Sequence, residues 1–294
     1  MTEGSSGRGG LVVVDKPRGC TSHDVVARVR RLAGTRRVGH AGTLDPMATG
    51  VLVLGVDRAT RLLGHLTATE KAYDATIRLG VSTVTDDAEG DVIATMPAAG
   101  VADDAIANGV AALTGTIEQV PASVSAVKVD GKRAYARVRT GEEVRLAARA
   151  VTVSAFDVRA LRRTGDVVDV DVSVVCSSGT YVRALARDLG AGLGVGGHLT
   201  ALRRTRVGGY DLTIAHTLEE LETSFTMLPI DDAARSAFAA RDVDAEGARV
   251  VSHGGLLPWE GTTEGPVAVF GPDGSFLALV EERAGMAKPL AVFV

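Results

Sequence analysis

The chain is poor in aromatic residues and cysteine, and it contains no long apolar run. Phe, Trp and Tyr make up 4% of its 294 residues, so the core must be built from Val, Leu and Ala. Cys20 and Cys176 are too few for a disulfide scaffold and fit a reducing compartment. The first ten residues lack the apolar run of a signal peptide, and no stretch reaches the roughly 18 apolar residues of a membrane span. We expect a soluble, cytoplasmic protein with no membrane partner.

Several common catalytic motifs are also missing. There is no Gly-Lys-Ser/Thr triplet for a P-loop, no Rossmann fingerprint and no Gly-x-Ser-x-Gly elbow. The six His and two Cys are not spaced as metal ligands. The sequence therefore gives no support to a nucleotide-binding enzyme, a serine hydrolase or a metal site. Cys176 occupies an apolar strand position, where core packing is the favoured role.

Charge is unevenly distributed along the chain. Hydrophobic types make up 46% and charged types 23%, as in a packed globular protein, and the net charge is -4. From His216 onward there are 13 acidic and 5 basic residues, whereas residues 1–215 carry 27 basic and 23 acidic ones. The segment 16–37 alone has seven basic residues and one acid. Such a cluster fits a polyanionic partner, and a solvated helix face is the alternative.

Strand and helix patterns alternate without a regular βαβ rhythm, which favours an α+β or mixed-sheet fold. The predicted strands are 11–15, 51–56, 71–79 and 166–176. The predicted helices are one beginning at an N-cap Ser22 and ending at Gly34, one over 58–66 capped by Asp57, one over 101–113 and one starting near Thr180. Residues 35–50 are expected to form a glycine-rich loop. Past Pro229, short apolar runs and glycines predict a small β-rich domain.

The loop at residues 39–50 is the most unusual stretch. Its one carboxylate, Asp45, precedes Pro46, which biases Asp45 toward an extended backbone. The flanking glycines allow close approach of another chain or a ligand. A lone loop Asp is most often a turn or capping residue, so the functional interpretation needs further support.

That support comes from a resemblance to a known family. The stretch GHAGTLDPMATGVLVLGVDRATRL resembles the signature of the bacterial tRNA pseudouridine-55 synthases, the TruB family. Further segments match the family in the same order: 15–22 (DKPRGCTS), 71–73 (KAY), 125–128 (SAVK) with Gly131, 176–183 (CSSGTYVR) and 198–204 (HLTALRR). The resemblance covers about residues 11–230.

The resemblance implies a fold and a reaction. The fold is α/β (α+β), a pseudouridine synthase fold with a mixed, mostly antiparallel sheet flanked by helices. The expected division is a disordered N-terminus (1–10), a catalytic domain (11–228) and a small β-rich, PUA-like RNA-binding domain (229–294), which its length suggests is reduced. The reaction is isomerisation of uridine 55 in the T loop of tRNA: the glycosidic bond is broken and the base rejoined through C5. No cofactor and no metal are implied, the partner is the tRNA T stem-loop, and a monomer is expected.

The resemblance also implies catalytic residues. Asp45 would be the catalytic carboxylate, acting on the anomeric carbon or the uracil ring or stabilising a glycal-like intermediate. Arg183 would be its charged partner, the alternative being a surface pair near Arg187 and Asp188. Tyr73 would stack on the flipped base and carry a proton, although its apolar strand face equally suits a core tyrosine.

Substrate-binding residues are implied as well. His40 would fill the space vacated in the RNA stack, although a loop His bonded to backbone is the common alternative. The other implied contacts are pocket residues and contacts to backbone phosphates, namely Tyr181 and Leu202 for the first and Lys16, Arg30, Arg31 and Arg36 for the second.

The chain departs from the family at two places. Val124 stands where an aromatic residue usually precedes the Ser-Ala-x-Lys element, and the C-terminal region is acidic for an RNA-binding domain.

Two other functions compete with the synthase. A non-catalytic tRNA-binding or tRNA-folding protein should have lost Asp45, Tyr73 or Arg183, and all three are present. An Asp-dependent phosphotransferase should place further carboxylates beside Asp45, and the nearest, Asp57, lies beyond a strand.

Overall fold

The computed structural model describes residues 9–122, 128–129, 132–133, 146–260 and 265–294. The chain divides into two units. The first is assembled from residues 1–46, 50–68 and 207–294, and the second from 47–49 and 69–206. Val124 and the 125–127 part of the Ser-Ala-x-Lys element lie outside the described residues, as do residues 1–8 of the expected disordered N-terminus.

Strands outnumber helices. The strands are β1 (Gly10–Lys16), β2 (Val38–His40), β3 (Thr49–Val56), β4 (Lys71–Leu79), β5 (Val81–Thr83), β6 (Val92–Thr95), β7 (Gly115–Gln119), β8 (Lys128–Val129), β9 (Lys132–Arg133), β10 (Arg149–Thr164), β11 (Val167–Cys176), β12 (Gly197–Val207), β13 (Tyr210–Asp211), β14 (Leu228–Pro229), β15 (Ala239–Asp242), β16 (Leu257–Pro258), β17 (Val267–Phe270), β18 (Phe276–Arg283) and β19 (Met286–Val292). The helices are α1 (Ser22–Leu32), α2 (Leu63–Thr67), α3 (Asp103–Ala112), α4 (Val182–Gly192), α5 (Leu218–Thr223), α6 (Ile230–Ala237) and α7 (Ala245–Ser252), with a 3-10 helix at Asp57–Leu62. Among the described residues, no helix is long and apolar enough to cross a bilayer.

In the first unit, two apolar strands form the centre of the packing. β1 runs antiparallel to β3, from Gly10 opposite Val56 to Lys16 opposite Gly50, with β14 on the other side of β1. Both strands are buried along nearly their whole length, which explains why their sequences are continuous apolar runs rather than alternating ones. The core around them also takes in the 3-10 helix, α6 and aromatic residues from the C-terminal strands.

The C-terminal part of the first unit is rich in strands, as predicted. Its sheet has the order β15-β17-β18-β19-β16, with β15 parallel to β17 and the other pairs antiparallel. Three buried aromatic rings, Phe270, Phe276 and Phe293, pack against one another with centroid separations of 5.6 and 4.6 Å. Arg58 and Arg61 donate hydrogen bonds to the carbonyls of Phe293 (3.1 Å) and Val292 (2.8 Å), which ties the last strand to the 3-10 helix.

The second unit is built on a sheet with the strand order β12-β4-β11-β10-β7. β11 pairs antiparallel with β4 and with β10, and β10 pairs antiparallel with β7. The predicted strand at 71–79 is β4, and its residues alternate: Tyr73, Ala75, Ile77 and Leu79 are buried, and Asp74 between them is exposed. The predicted strand at 166–176 is β11, where Cys176 is buried as expected. The predicted fold class, a mixed α/β protein with a β-rich C-terminal part, is confirmed.

The predicted N-cap of the first helix is wrong by one residue. Thr21 caps α1: its hydroxyl accepts a hydrogen bond from the Asp24 amide (3.1 Å), and the Asp24 carboxylate accepts one from the Thr21 amide (2.8 Å). This reciprocal capping box satisfies two amides that the helix itself leaves without acceptors. Ser22 is released from capping and turns inward, where it is buried.

The predicted helix over 58–66 and its cap are also wrong in detail. The segment splits into the 3-10 helix and α2, and no side chain caps the first of these. Asp57 has φ 52° and its carboxylate accepts a hydrogen bond from the Thr35 hydroxyl (2.9 Å). The predicted loop at 35–50 contains the short strand β2, in which His40 lies opposite Leu54 of β3.

Candidate active site

The backbone on both sides of Asp45 is held by the segment 15–22. On one side, the buried Ser22 hydroxyl lies 2.9 Å from the Leu44 amide, which donates to it, and 3.1 Å from the Leu44 carbonyl, to which it donates. On the other side, the Pro46 carbonyl accepts from the Gly19 amide (2.8 Å). Asp45 itself is half-buried. The loop therefore fixes the backbone on both sides of Asp45.

Lys16 is fully buried instead of facing solvent. Its Nζ donates to the carbonyls of Cys20 (2.8 Å), Pro17 (3.0 Å) and Pro46 (3.4 Å), and its exposed fraction is 0%. A buried ammonium is tolerated because hydrogen bonds replace its lost hydration. This placement disagrees with the expectation that Lys16 contacts a phosphate. It makes the side chain a brace between β1, the turn after it and the Asp45 loop.

The other predicted contacts of the first unit lie near the surface. His40 is half-buried at the end of β2, and the ring of His23 in α1 meets it edge to face at 5.8 Å. Arg30, Arg31 and Arg36 are exposed. Arg30 also donates to the Val38 carbonyl (3.1 Å), so it supports the strand that ends in His40.

Arg183 is a buried side chain at the start of α4. It donates to the Thr85 carbonyl (2.8 Å), and its guanidinium lies 3.6 Å from the carboxylate of Asp87, with each side chain 5% exposed. The alternative of a surface pair is wrong for Arg183. One turn further along α4, Arg187 forms such contacts with Asp188 (2.9 Å) and Asp86 (3.2 Å).

The turn that holds Arg183 is itself internally bonded. The Asp87 carboxylate accepts from the Thr85 hydroxyl (2.5 Å) and the Glu89 amide (3.0 Å), and the Asp87 carbonyl accepts from the Thr83 hydroxyl (2.7 Å). Burial raises the pKa of the neighbouring Asp86, an effect that Arg187 and Arg183 partly offset. Because the turn is fixed by its own bonds, it presents a prearranged acceptor set to the guanidinium.

Tyr73, Tyr181 and Leu202 also belong to the second unit. Tyr73 is 8% exposed on β4, and its hydroxyl is hydrogen-bonded to Arg204 of β12. Leu202, on the same strand as Arg204, is buried. Tyr181 is the N-cap residue of α4, and the side-chain amide of Gln119 holds its backbone, accepting from its amide (2.8 Å) and donating to its carbonyl (3.1 Å).

Of the predicted site residues, the structure therefore places Asp45, His40, Lys16 and the three exposed arginines in the first unit. Tyr73, Tyr181, Arg183 and Leu202 lie in the second. Four supporting residues were missed by the sequence analysis: Ser22, Asp87, Gln119 and Arg204. Arg204 had a usable signal, since it shares the strand parity of Leu202. Within the described parts of the chain, no group of three or more His, Cys, Asp or Glu side chains could hold a metal ion.

Comparison with known proteins identifies related sequences along the whole chain. Residues 30–182 match the N-terminal domain of TruB family pseudouridylate synthases, 183–236 a tRNA pseudouridylate synthase B C-terminal domain, and 238–294 the C-terminal domain of tRNA pseudouridine synthase II. The tRNA pseudouridine synthase B of Streptomyces griseus subsp. griseus is 63% identical over 100% of both chains. That of Thermobifida fusca is 61% identical over 97% of this chain and 98% of its own.

Solved structures are similar over nearly the same length. A crystal structure of a Cbf5-Nop10-Gar1 complex contains a chain with TM-score 0.75 and 25% identity, covering 98% of this chain and 85% of its own. A structure of an H/ACA RNP bound to a substrate RNA containing 2′-deoxyuridine gives TM-score 0.71 and 25% identity, covering 97% and 85%.

Proposed function

Because this chain belongs to the TruB family of pseudouridine synthases, we propose that it converts uridine 55 in the T loop of tRNA into pseudouridine. Its relatives from Streptomyces griseus and Thermobifida fusca are named tRNA pseudouridine synthase B. The reaction breaks the bond between N1 of uracil and the ribose and rejoins the base through C5. A uridine inside the T loop must first be flipped out of the stack, which costs a few kcal/mol.

The way in which the Asp45 loop is held is the observation that carries the proposal. A carboxylate that reacts with a flipped nucleotide needs a fixed position, because misplacement by about 1 Å can cost a factor of 100 in rate. Ser22 fixes the residue before Asp45, and Gly19 and Lys16 fix the residue after it. We propose that Asp45 is the catalytic carboxylate and acts in its ionised form.

For Arg183 we propose the role that the family implies, which is to keep the Asp45 carboxylate ionised. A guanidinium presents a planar fork of donors that matches a carboxylate. The support in this chain is that Arg183 is desolvated and held by Thr85 and Asp87. An arginine retained at such a buried place needs a reason beyond solubility.

The remaining contacts follow the same proposal. Tyr73 stacks on the flipped uracil and accepts or returns a proton at the ribose or at C5. Tyr181 and Leu202 line the pocket, and His40 fills the space that the base leaves. The exposed Arg30, Arg31 and Arg36 contact backbone phosphates, which position RNA without reading its sequence. We reassign Lys16 from a phosphate contact to a positioning residue of the Asp45 loop.

We further propose that the chain works as a monomer on the T stem-loop, in the cytoplasm and without a cofactor. Residues 229–294 serve as a PUA-like RNA-binding domain. Because its region is acidic, with 13 acids and 5 basic residues from His216 onward, its electrostatic attraction for tRNA is weak. The first 215 residues supply most of that attraction.

The test uses a tRNA transcript labelled with tritium at C5 of its uridines. Isomerisation at C5 must expel that hydrogen, so the wild type should release about one equivalent per tRNA. Asp45→Asn should release none while still binding tRNA in a filter assay. A transcript with cytidine at position 55 should release none with the wild type.

Asp74→Asn is the matched control, because Asp74 is an exposed carboxylate next to Tyr73 on the opposite face of β4. It should retain full release. The competing function is a non-catalytic tRNA-binding or tRNA-folding protein. Tight binding of tRNA by the wild type without tritium release would favour that function and overturn the proposal, as would normal release by Asp45→Asn.

A further inference from the structure

Two buried cations lie beside Tyr73 in the second unit. Lys71 is 6% exposed and precedes Tyr73 by two residues in β4, so the two side chains share a face of the sheet. Arg204 is 1% exposed and extends from the neighbouring strand β12 to hydrogen-bond the Tyr73 hydroxyl. An arginine so deeply buried loses most of its hydration, and such a cost is normally tolerated only where the charge has a specific role.

We propose that Arg204 is a positioning residue for the reaction: its guanidinium fixes the Tyr73 hydroxyl and favours the phenolate form, so that the Tyr73 oxygen can accept the proton from C5 of the rejoined base. The inference rests on the proposed function, in which Tyr73 carries a proton. It adds a residue that does not itself touch the substrate and that acts through Tyr73.

The proton balance of this step is simple. After the new bond joins C5 to the ribose, C5 carries both that bond and its original hydrogen. The Tyr73 phenolate takes the hydrogen as a proton, and the electron pair of the C–H bond forms the C5–C6 double bond of uracil. The π pair of the C6–N1 bond moves at the same time to N1, which lost its bond to the ribose and now takes up a proton from solvent. The phenol then returns its proton to solvent. No oxidant, reductant or cofactor takes part.

The charged groups around Tyr73 support the phenolate. Burial, together with the nearby charge of Arg204, lowers the pKa of Lys71 to about 8. Burial also lowers the pKa of Arg204, whereas its interaction with Tyr73 raises it. On β11, the residue opposite Tyr73 is the apolar Val174, and Cys176 lies opposite Lys71. Burial raises the pKa of the Cys176 thiol to about 11, so it is neutral near pH 7.

The carboxylate of Glu70 lies close to this cluster, but it is paired with partners of its own. Glu70, just before β4, accepts hydrogen bonds from the Ser154 hydroxyl (2.6 Å) and from Arg206 (3.0 Å). Those two contacts lower the pKa of Glu70, which stays ionised and paired. Arg204 thus places a positive charge in direct hydrogen-bond contact with the phenol. Lys71 lies two residues before Tyr73 on the same strand, and its Nζ donates to the Thr69 carbonyl (2.7 Å).

The first experiment follows the phenol directly and needs no activity. The protein is labelled with 13C at Cζ of tyrosine, the titration of each resonance is followed by NMR, and Tyr73→Phe assigns the Tyr73 signal. Arg204→Gln should raise the midpoint of the Tyr73 titration by at least about one pH unit, as expected when a contacting cation is removed. Arg204→Lys, which keeps the charge, should raise it less.

Arg203→Gln is the matched control, because Arg203 is the adjacent arginine in β12 and points to the opposite face. It should leave the Tyr73 midpoint in place. An unchanged midpoint in folded Arg204→Gln or Arg204→Lys would overturn the proposal. If Arg204→Gln does not fold, Arg204→Lys still gives the answer, since the shorter ammonium stem cannot reproduce the fork.

The second experiment asks whether Arg204 acts through Tyr73. In single-turnover tritium release, Tyr73→Phe should lower the rate about 100-fold, the usual effect of losing a proton carrier. Arg204→Lys should lower it about tenfold in the wild type and should have no additional effect in Tyr73→Phe. An equal additional loss in both backgrounds would overturn the proposal. Full activity in Tyr73→Phe would instead refute the proposed proton role of Tyr73, while the NMR result would stand by itself.

Discussion

Lys16 and Arg183 are two buried cations that the protein accommodates in opposite ways. In the first unit, the Lys16 ammonium donates to the carbonyls of Pro17, Cys20 and Pro46. In the second, Arg183 has the carboxylate of Asp87 beside it, together with the Thr85 carbonyl. Three rotatable ammonium donors can reach three separate carbonyls, whereas a rigid guanidinium fork needs partners set in its plane. The difference suggests that Lys16 is there to shape a loop and Arg183 to present a charge.

The largest expected effect is on catalysis, and it tests whether the planar guanidinium of Arg183 is needed. Arg183→Lys keeps the positive charge but loses the planar donors, so single-turnover tritium release should fall about 100-fold or more. Arg187→Lys, one turn further along α4 and 30% exposed, is the control and should keep near-normal release. Equal rates for Arg183→Lys and the wild type would show that a point charge suffices.

The next effect is on stability, and it tests whether the buried Lys16 side chain holds the Asp45 loop. Lys16→Met removes the donor that the carbonyls of Pro17, Cys20 and Pro46 share, so the free energy of unfolding should fall by about 3 kcal/mol. Urea denaturation measures it, and Lys288→Met, at an exposed position in β19, should change it by less than about 0.5 kcal/mol. A loss as small as that of Lys288→Met would mean that Lys16 does not hold the loop.

A smaller effect is expected from the partner of Arg183. Asp87→Asn removes a buried carboxylate but keeps a polar side chain of the same size, so we expect a loss of about 2 kcal/mol in the free energy of unfolding. The control is Asp188→Asn, which affects a more exposed pair with Arg187 and should cost less than about 1 kcal/mol. The comparison fails if the two variants lose the same amount.

The smallest effect concerns the neutral hydrogen bonds to Leu44. Ser22→Ala removes one hydroxyl and should lower the free energy of unfolding by about 1 kcal/mol, with a several-fold slower tritium release. Ser236→Ala removes an exposed hydroxyl that bonds the Asp232 carbonyl and should leave both quantities nearly unchanged. A normal rate of tritium release in Ser22→Ala would show that the hydrogen bonds to Leu44 are not needed for catalysis.

The elements that could be predicted from the sequence are those in which one face is buried. β4 and β11 alternate in hydrophobicity with a period of two, and the structure confirms their positions and the burial of Cys176. The family resemblance is likewise confirmed by the matches along the whole chain. The motifs that carried it are runs of adjacent residues, which a single sequence displays directly.

What could not be predicted depends on contacts between distant residues. Ser22 and Thr21 are equally good N-caps by type, and the hydrogen bonds of Ser22 to Leu44, 22 residues away, decide between them. Lys16 is basic and close to other basic residues, so the pattern favours a surface contact, whereas the fold buries it among carbonyls. Whether Asp45, Tyr73 and Arg183 have the proposed catalytic roles stays a prediction for the experiments above.

The discontinuous first unit has a consequence for the order in which the protein is made. The ribosome completes residues 69–206 of the second unit while a large part of the first, residues 207–294, is still to be synthesised. Arg58 and Arg61 find their carbonyl acceptors at Phe293 and Val292, more than 230 positions later in the chain. Segments of a domain generally fold as a unit once that unit is complete. Asp45 therefore belongs to the unit that is completed later, because the last segment of that unit is synthesised after the whole of the second unit.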